Sequence, residues 1–219
     1  MFLGHFAVAM GAKKAAPRVS LGSLILAAQF ADLLWPIFLL LGWEQVRIAP
    51  GITRVTPLDF VSYPWSHSLV AEVVGGAALG VIYFMMRREG RGAVVLAACV
   101  PSHWLLDYIM HRPDMPLYPG AARYGLGLWN SLEVTLAIEF GMFAVGAAIY
   151  LSSTRAKDRT GVIALWCLLF GLAGLYLASV FGPPPPSVRV LAASALTMWA
   201  TIPWGAWADR HHAASSSSS

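Results

Sequence analysis

Residues 101–111 read PSHWLLDYIMH, and they lie inside an apolar stretch that begins near residue 92. His103, Asp107 and His111 recur every four positions, which places them on one face of a helix, one turn apart. An ionised carboxylate in hydrocarbon costs several kcal/mol, so it persists only when paired, protonated or bound to a cation. His and Asp at i,i+4 form either a hydrogen-bonded pair or two metal ligands. This ladder decides both the fold class and the chemistry to look for.

The rest of the chain supports a membrane setting. Hydrophobic residues make up 58% of the 219 and charged residues 12%, against about 25% charged in ordinary soluble domains. Mean hydropathy is +0.63. The expected class is all-α: a polytopic membrane bundle of about six spans of roughly 20 residues each, preceded by a short N-terminal half-helix. The half-helix is expected over residues 2–12, ending at Lys13 and Lys14. The spans are expected at about 20–42, 67–86, 92–111, 126–152, 161–181 and 188–208. The intervening stretches, about 43–66 and 112–125, read as loops. Residues 1–210 form one membrane domain, and 211–219, HHAASSSSS, read as a disordered tail or an expression remnant. Four prolines at 183–186 make a stiff turn between the last two spans. Cys99 and Cys167 fall in apolar runs and read as buried small residues.

Charge then orients the bundle. The net charge of +4 and the pI near 9.3 come from loop clusters, and no basic-aromatic interleaving points to nucleic acid. Lys13, Lys14, Arg18, Arg87, Arg88, Arg91, Arg155, Lys157, Arg159 and Arg210 fall on one side, with fewer basic residues on the other. The positive-inside rule puts both termini in the cytoplasm. Tyr63, Trp65, Tyr118, Tyr124 and Trp129 then sit at the outer edge as an aromatic belt.

With a rise of about 1.5 Å per residue, Asp32 and His103 lie roughly 18 Å from the cytoplasmic basic clusters, Asp107 roughly 24 Å and His111 about 30 Å. His5, His67, Glu72 and Glu133 belong to the same mid-to-outer zone, which points to one cavity open to the outside. Glu133 and Glu139 face different sides of their helix, so Glu133 is the candidate for the site and Glu139 for a pairing with a neighbouring span.

These motifs, in this order, resemble a known family. GHFAVAMGA from residue 4, FADLLWP from 30, PWSHSLV from 64 and PSHWLLDYIMH from 101 are similar to the motifs of the bacterial membrane-bound metal-dependent hydrolases. The resemblance covers residues 4–114 and implies a ligand set of His5, Asp32, His67, His103 and Asp107. That family echoes the ligand pattern of zinc-dependent phospholipase C. Leu34, Trp35 and Ser62 stand where the family carries further Asp and His residues. Fewer ligands argue for one metal, or a pair at most.

The leading expectation is a metal-dependent hydrolase, with zinc first and manganese or iron as other fits for His and carboxylate donors. Glu133 or His111 would act as general acid or base, and the substrate would be a lipid or lipid-linked phosphoester reached from the outer half of the bilayer. The alternatives are a metal-ion or proton transporter and a purely structural metal site. Substrate and oligomeric state are not legible.

Overall fold

The structure is a computed structural model, and it describes residues 1–215. Residues 216–219, part of the expected tail, lie outside the described residues. The chain is mostly helical. In order come α1 (Leu3–Ala15), α2 (Leu21–Ala28), α3 (Phe30–Leu40), β1 (Gln45–Ile48), β2 (Leu58–Ser62), α4 (Leu69–Arg87) and α5 (Gly90–Met110). Then follow β3 (Met115–Pro116), β4 (Arg123–Tyr124), α6 (Leu132–Ser153), β5 (Thr154–Ala156), α7 (Arg159–Phe181), α8 (Val188–Ala195), α9 (Thr201–Arg210) and β6 (His212–Ala214).

Polar caps punctuate the apolar sequence. Ser20, Ser68, Glu89, Ser131, Asp158 and Ser187 each accept a backbone N–H in the first turn of the helix they open. Each satisfies a donor that has no partner within the helix.

Among the described residues, four helices, α4, α5, α6 and α7, are long and apolar enough to cross a membrane. The pair α2–α3, bent by 57° at Gln29, is long and apolar enough to count as a fifth if it crosses as one broken span rather than turning back as a re-entrant loop. The expectation of six uniform spans is therefore met by four to five. The stretch expected as the sixth, residues 188–208, is built as α8, a 3-10 segment Leu196–Ala200, and α9. Right-handed helical dihedrals run through the joints at Leu196 and Thr201. Pro203 has no N–H for the carbonyl of Trp199 and crowds it, so the regular ladder cannot run through this point. The N-terminal half-helix is present as α1, of 13 residues.

Close backbone approach binds the helices. The α4–α5 contact passes through Gly76 and Gly80. A Cβ at Gly80 would stand 2.8 Å from the Ala93 carbonyl oxygen, and one at Gly76 would collide with the Ala97 carbonyl. Pro101 supplies no N–H to that Ala97 oxygen. Gly146 of α6 lies equally close to the backbone of Ala7 in α1. The outer faces of α4 and α7 expose Val74, Ile82, Met85, Ile163 and Phe170, as helices facing lipid do.

The basic clusters gather at one end of the bundle. There Lys13 is buried rather than emergent: its Nζ donates to Asp209 Oδ2 at 2.6 Å and to the Val19 carbonyl at 2.8 Å. Asp209 also accepts from Tyr150 Oη at 2.8 Å, so the first and last helices are tied together.

Three further expectations need correction. Residues 211–214 do not belong to a disordered tail. His212–Ala214 pairs antiparallel with Thr154–Ala156, and His211 Nδ1 lies 2.8 Å from Asp158 Oδ2. That contact holds the exposed Asp158 carboxyl below its ordinary pKa. The two loops contain antiparallel strand pairs, β1–β2 and β3–β4, since a chain over the bundle end must satisfy its own backbone groups. Cys99 is buried, but Cys167 is exposed on the outer face of α7.

Gly76→Leu is expected to cost about 3 kcal/mol, because a rigid carbonyl cannot move aside for the new side chain. Gly171→Leu on α7, where a Cβ meets nothing within 4 Å, is expected to be neutral. Thermal unfolding of both variants in detergent checks the pair, and equal melting temperatures would remove Gly76 from the packing account.

Candidate metal centre

α5 brings His103 and Asp107 to the end of the bundle opposite Lys13, and His111 follows as its C-cap. α3 contributes Asp32, the turn before α4 contributes His67, and α1 contributes His5. The structure therefore places all five residues of the implied ligand set together, with His111 beside them. His5, His67, His103, Asp107 and His111 are at most 2% exposed. The Asp32 side chain is 26% exposed, which makes it the open side of the cluster.

The donor atoms converge on the two carboxylates. His67 Nε2 is 3.4 Å from Asp32 Oδ1 and 3.9 Å from Asp107 Oδ2. His103 Nε2 is 3.8 Å from Asp32 Oδ1 and 3.3 Å from Asp107 Oδ2. Those four separations compare with about 3.3 Å between neighbouring donors around a tetrahedral zinc with bonds near 2.0 Å. His111 Nε2 lies 3.5 Å from Asp107 Oδ2, and His5 Nε2 lies 3.1 Å from Asp107 Oδ1. The Met1 amino group also donates to Asp107 Oδ1. Asp32, His67 and His103 form one set that can hold a metal ion, and His5, His103 and Asp107 form another.

The opposite nitrogens explain why the rings aim this way. His103 Nδ1 lies 2.9 Å from the Ala28 carbonyl oxygen, which can only accept, so Nδ1 carries the proton. His67 Nδ1 lies 2.7 Å from Ser66 Oγ, and that hydroxyl donates to Glu44 Oε2 at 2.7 Å. The serine oxygen must then accept from His67 Nδ1. Glu44 is itself held by the N–H groups of Trp65 and Ser66, each at 2.8 Å. His111 Nδ1 lies 2.9 Å from Asp114 Oδ1, to which Tyr63 Oη also donates at 2.8 Å. With Nδ1 protonated, the neutral ring presents a lone pair from Nε2 towards carboxylate oxygens.

Lone pairs facing carboxylates at 3–4 Å repel unless positive charge lies between them. The Met1 ammonium supplies it at Asp107 Oδ1; at Asp107 Oδ2 and Asp32 Oδ1, protonated rings or a metal cation meets that requirement. His103 Nε2 is buried without a hydrogen-bond partner among the described residues, as is His5 Nδ1. The Nδ1 partners of His67, His103 and His111 are of the kind that fix tautomer and orientation of ligand imidazoles at metal centres. The donor set and its backing therefore fit a divalent metal. His5 differs from the other three in lacking a partner on Nδ1; its ring stacks on His103 at 3.6 Å between centroids.

Two groups outside the spans respond to this charge. Burial opposes protonation of His111, but the facing Asp107 and Asp114 carboxylates outweigh it and raise its pKa. Burial and the neighbouring Asp114 carboxylate push the Tyr63 hydroxyl well above its ordinary value.

Glu133 is not at the cluster. It is exposed on the first turn of α6, where Ser131 Oγ donates to it at 3.5 Å. The helix turns about 240° in net phase over the six residues to Glu139, which is buried instead. Glu139 accepts from the N–H of Phe2 at 2.8 Å and of Gly4 at 2.9 Å, so it caps α1 immediately before His5. Tyr63 and Trp129 likewise leave the expected aromatic belt. They are buried against His111, with ring centroids 6.1 and 4.1 Å away. Trp65, Tyr118 and Tyr124 remain exposed. Glu44 and Asp114 carried no signal of their own in the sequence, beyond being acidic residues near the ends of apolar segments.

No protein-family model, curated protein or solved structure matches the chain.

Ser66→Ala breaks the link between Glu44 and His67 and is expected to weaken zinc binding about 10- to 100-fold. Glu133→Gln should leave it unchanged. Competition with a chromophoric zinc chelator measures both, and an unaltered affinity in Ser66→Ala would remove the relay from the site.

Proposed function

We propose that the protein is a membrane-embedded metal-dependent hydrolase with its site at the outer-half end of the helix bundle, acting on a lipid or lipid-linked phosphoester. One observation carries the reading: two carboxylates and the Nε2 atoms of His67 and His103 converge at 3.3–3.9 Å, with only Asp32 part-exposed. A closed structural site encloses its metal, whereas a catalytic one keeps a side open to water or substrate. The exposed edge at Asp32 favours the second kind.

Asp32, His67, His103 and Asp107 are the proposed ligands of one divalent ion, with His5 completing the shell through Asp107. Zinc is the first choice for this His and carboxylate set, then manganese or iron. When bound, such an ion lowers the pKa of water and polarises a phosphoryl oxygen. The protein's own groups orient and exclude. Ser66 and Glu44 hold His67, Ala28 holds His103, and Phe60, Tyr63 and Trp129 keep bulk water from His111. His111, backed by Asp114, is the proposed acid–base residue; Glu133 no longer has that role. The order of motifs resembling the membrane-bound metal-dependent hydrolases is in keeping with this proposal.

Topologically, the proposal counts six crossings, with α2–α3 and the α8–α9 rod as the broken ones, and the basic end of the bundle, with Lys13 and Arg210, in the cytoplasm of a bacterial inner membrane. The expectation that both termini are cytoplasmic then holds for the C-terminal end alone, because the Met1 amino group meets Asp107 at the opposite end. Transport is the less favoured reading. A conducting path would need polar groups below the cluster, and that level holds Phe6, Met10, Leu24, Leu96 and Val100, all buried and apolar.

Elemental mass spectrometry of protein purified without chelator is expected to find about one zinc per chain. His103→Ala and Asp107→Ala should lose it, while Glu139→Gln should retain it. Hydrolysis of a lipid phosphomonoester should disappear on chelation and return with zinc. A wild-type protein that holds no metal would end the hydrolase proposal.

A further inference from the structure

A cavity of 510 Å³ opens beside the cluster, between the α7–α8 turn, Met1 and Phe2 at the start of α1, and the loop joining β1 to β2. Its size falls in the range of small-ligand pockets, about 300–1,000 Å³. Asp32 is one of its lining residues, so the cavity reaches the open side of the proposed metal ligands.

Three features give the cavity its chemistry. Tyr176 of α7 lines it and is 3% exposed, yet its hydroxyl has no hydrogen-bond partner among the described residues. The ring is fixed by stacking on Phe2, with centroids 5.8 Å apart. A buried hydroxyl without a partner is costly, so a ligand atom that accepts from it is favoured. One wall is apolar: Val180, Leu191 and Pro184 line it, and the prolines at 183–185 add no N–H donors. Ser179 and Ser194 lie beside it, and the Glu139 carboxylate that also lines the cavity is engaged by the N–H groups of Phe2 and Gly4. At the rim, Arg54 contributes an exposed cation on a backbone held in place by its N–H bond to the Trp129 carbonyl at 3.0 Å.

Phe181 and Val190 flank that wall and are 63% and 48% exposed, continuing the lipid-facing surface of α7 to the rim. A ligand entering there meets hydrocarbon on one side and a guanidinium on the other. Soluble anions would have no use for the apolar wall, and neutral lipids would have none for Arg54.

We propose that this cavity is the substrate-recognition site for a phosphate-bearing amphiphile drawn from the bilayer: Arg54 pairs with the phosphate, the Tyr176 hydroxyl donates to the linking oxygen region, and the first part of one acyl chain lies along Val180 and Leu191. The assignment rests on the hydrolase reading for its chemistry, but its binding half can be tested alone. Guanidinium is suited to this role because its fork matches phosphate oxygens.

Native mass spectrometry of the delipidated full-length protein, titrated with lysophosphatidate, with monoacylglycerol of the same chain length and with inorganic phosphate, tests it. Wild type should bind one lysophosphatidate about tenfold more tightly than either comparison ligand. Arg54→Ala should bring lysophosphatidate down to the monoacylglycerol level. Tyr176→Phe should weaken it by about fivefold, and Leu191→Trp should exclude both amphiphiles. Zinc per chain, measured on the same samples, should be unchanged in all three variants, which separates a filled cavity from a misfolded protein. Equal binding of charged and neutral amphiphiles, or an Arg54→Ala variant that binds like wild type, would overturn the assignment. Inorganic phosphate binding as tightly as lysophosphatidate would overturn it too. Amphiphile binding as expected, in a protein with neither zinc nor hydrolysis, would sustain the cavity and end the hydrolase proposal. Zinc-dependent hydrolysis unaffected by Arg54→Ala would do the reverse.

Discussion

Two carboxylates share one apolar interior, and the surrounding architecture answers to that. Asp107 is nearly inaccessible and Asp32 only part-exposed, and both face imidazole nitrogens rather than water. Carboxylates so placed need positive charge close by, since burying an uncompensated ion costs far more than the bundle's marginal stability allows. The helices carrying these groups are tied by contacts of another kind. Glycines allow α4 onto α5 and α1 onto α6, and the break at Gln29 lets the Ala28 carbonyl reach His103. The packing that brings the ligands together is thus also the packing that gives them hydrogen-bond backing.

The backing is layered. Behind His67 stand a serine and then a glutamate, which two backbone N–H groups hold in turn; behind His111 stand an aspartate and then a tyrosine. Behind His103 there is only a carbonyl at a helix break. Each arrangement removes the freedom of one ring to flip, so the cluster need not be ordered by whatever binds it. The strand pairs over the bundle end serve the same purpose: β1–β2 places Phe60 beside Trp35, and the residues next to it carry Glu44 and Tyr63.

The sequence made part of this legible. Asp107 and its flanking histidines stood out because a charged residue in an apolar helix is rare and because their spacing of four is set by helix geometry alone. The membrane class followed from composition. What could not be read depended on contacts between distant segments or on helix phase within one turn. Glu44 reaches Ser66 across 22 positions, and nothing local marks it. The bend at Gln29 falls in an apolar run with no glycine or proline at the break itself. Glu133 and Glu139 were distinguished correctly as facing different sides, but which side met the site depended on how α6 packs on α1. The last apolar run reads as one span, and Pro203 with its 3-10 segment divides it.

The ion pair between Lys13 and Asp209 has a consequence for biosynthesis. α1 is made before α9, yet the buried ammonium of one is matched by the carboxylate of the other across 196 positions. Until α9 is made, Lys13 has the Val19 carbonyl but no counter-charge for its buried ammonium. α1 is also the helix that carries His5. The end of the bundle that gathers His5 with Asp107 therefore depends on a charge pair at the opposite end, closed only after α9 has been made.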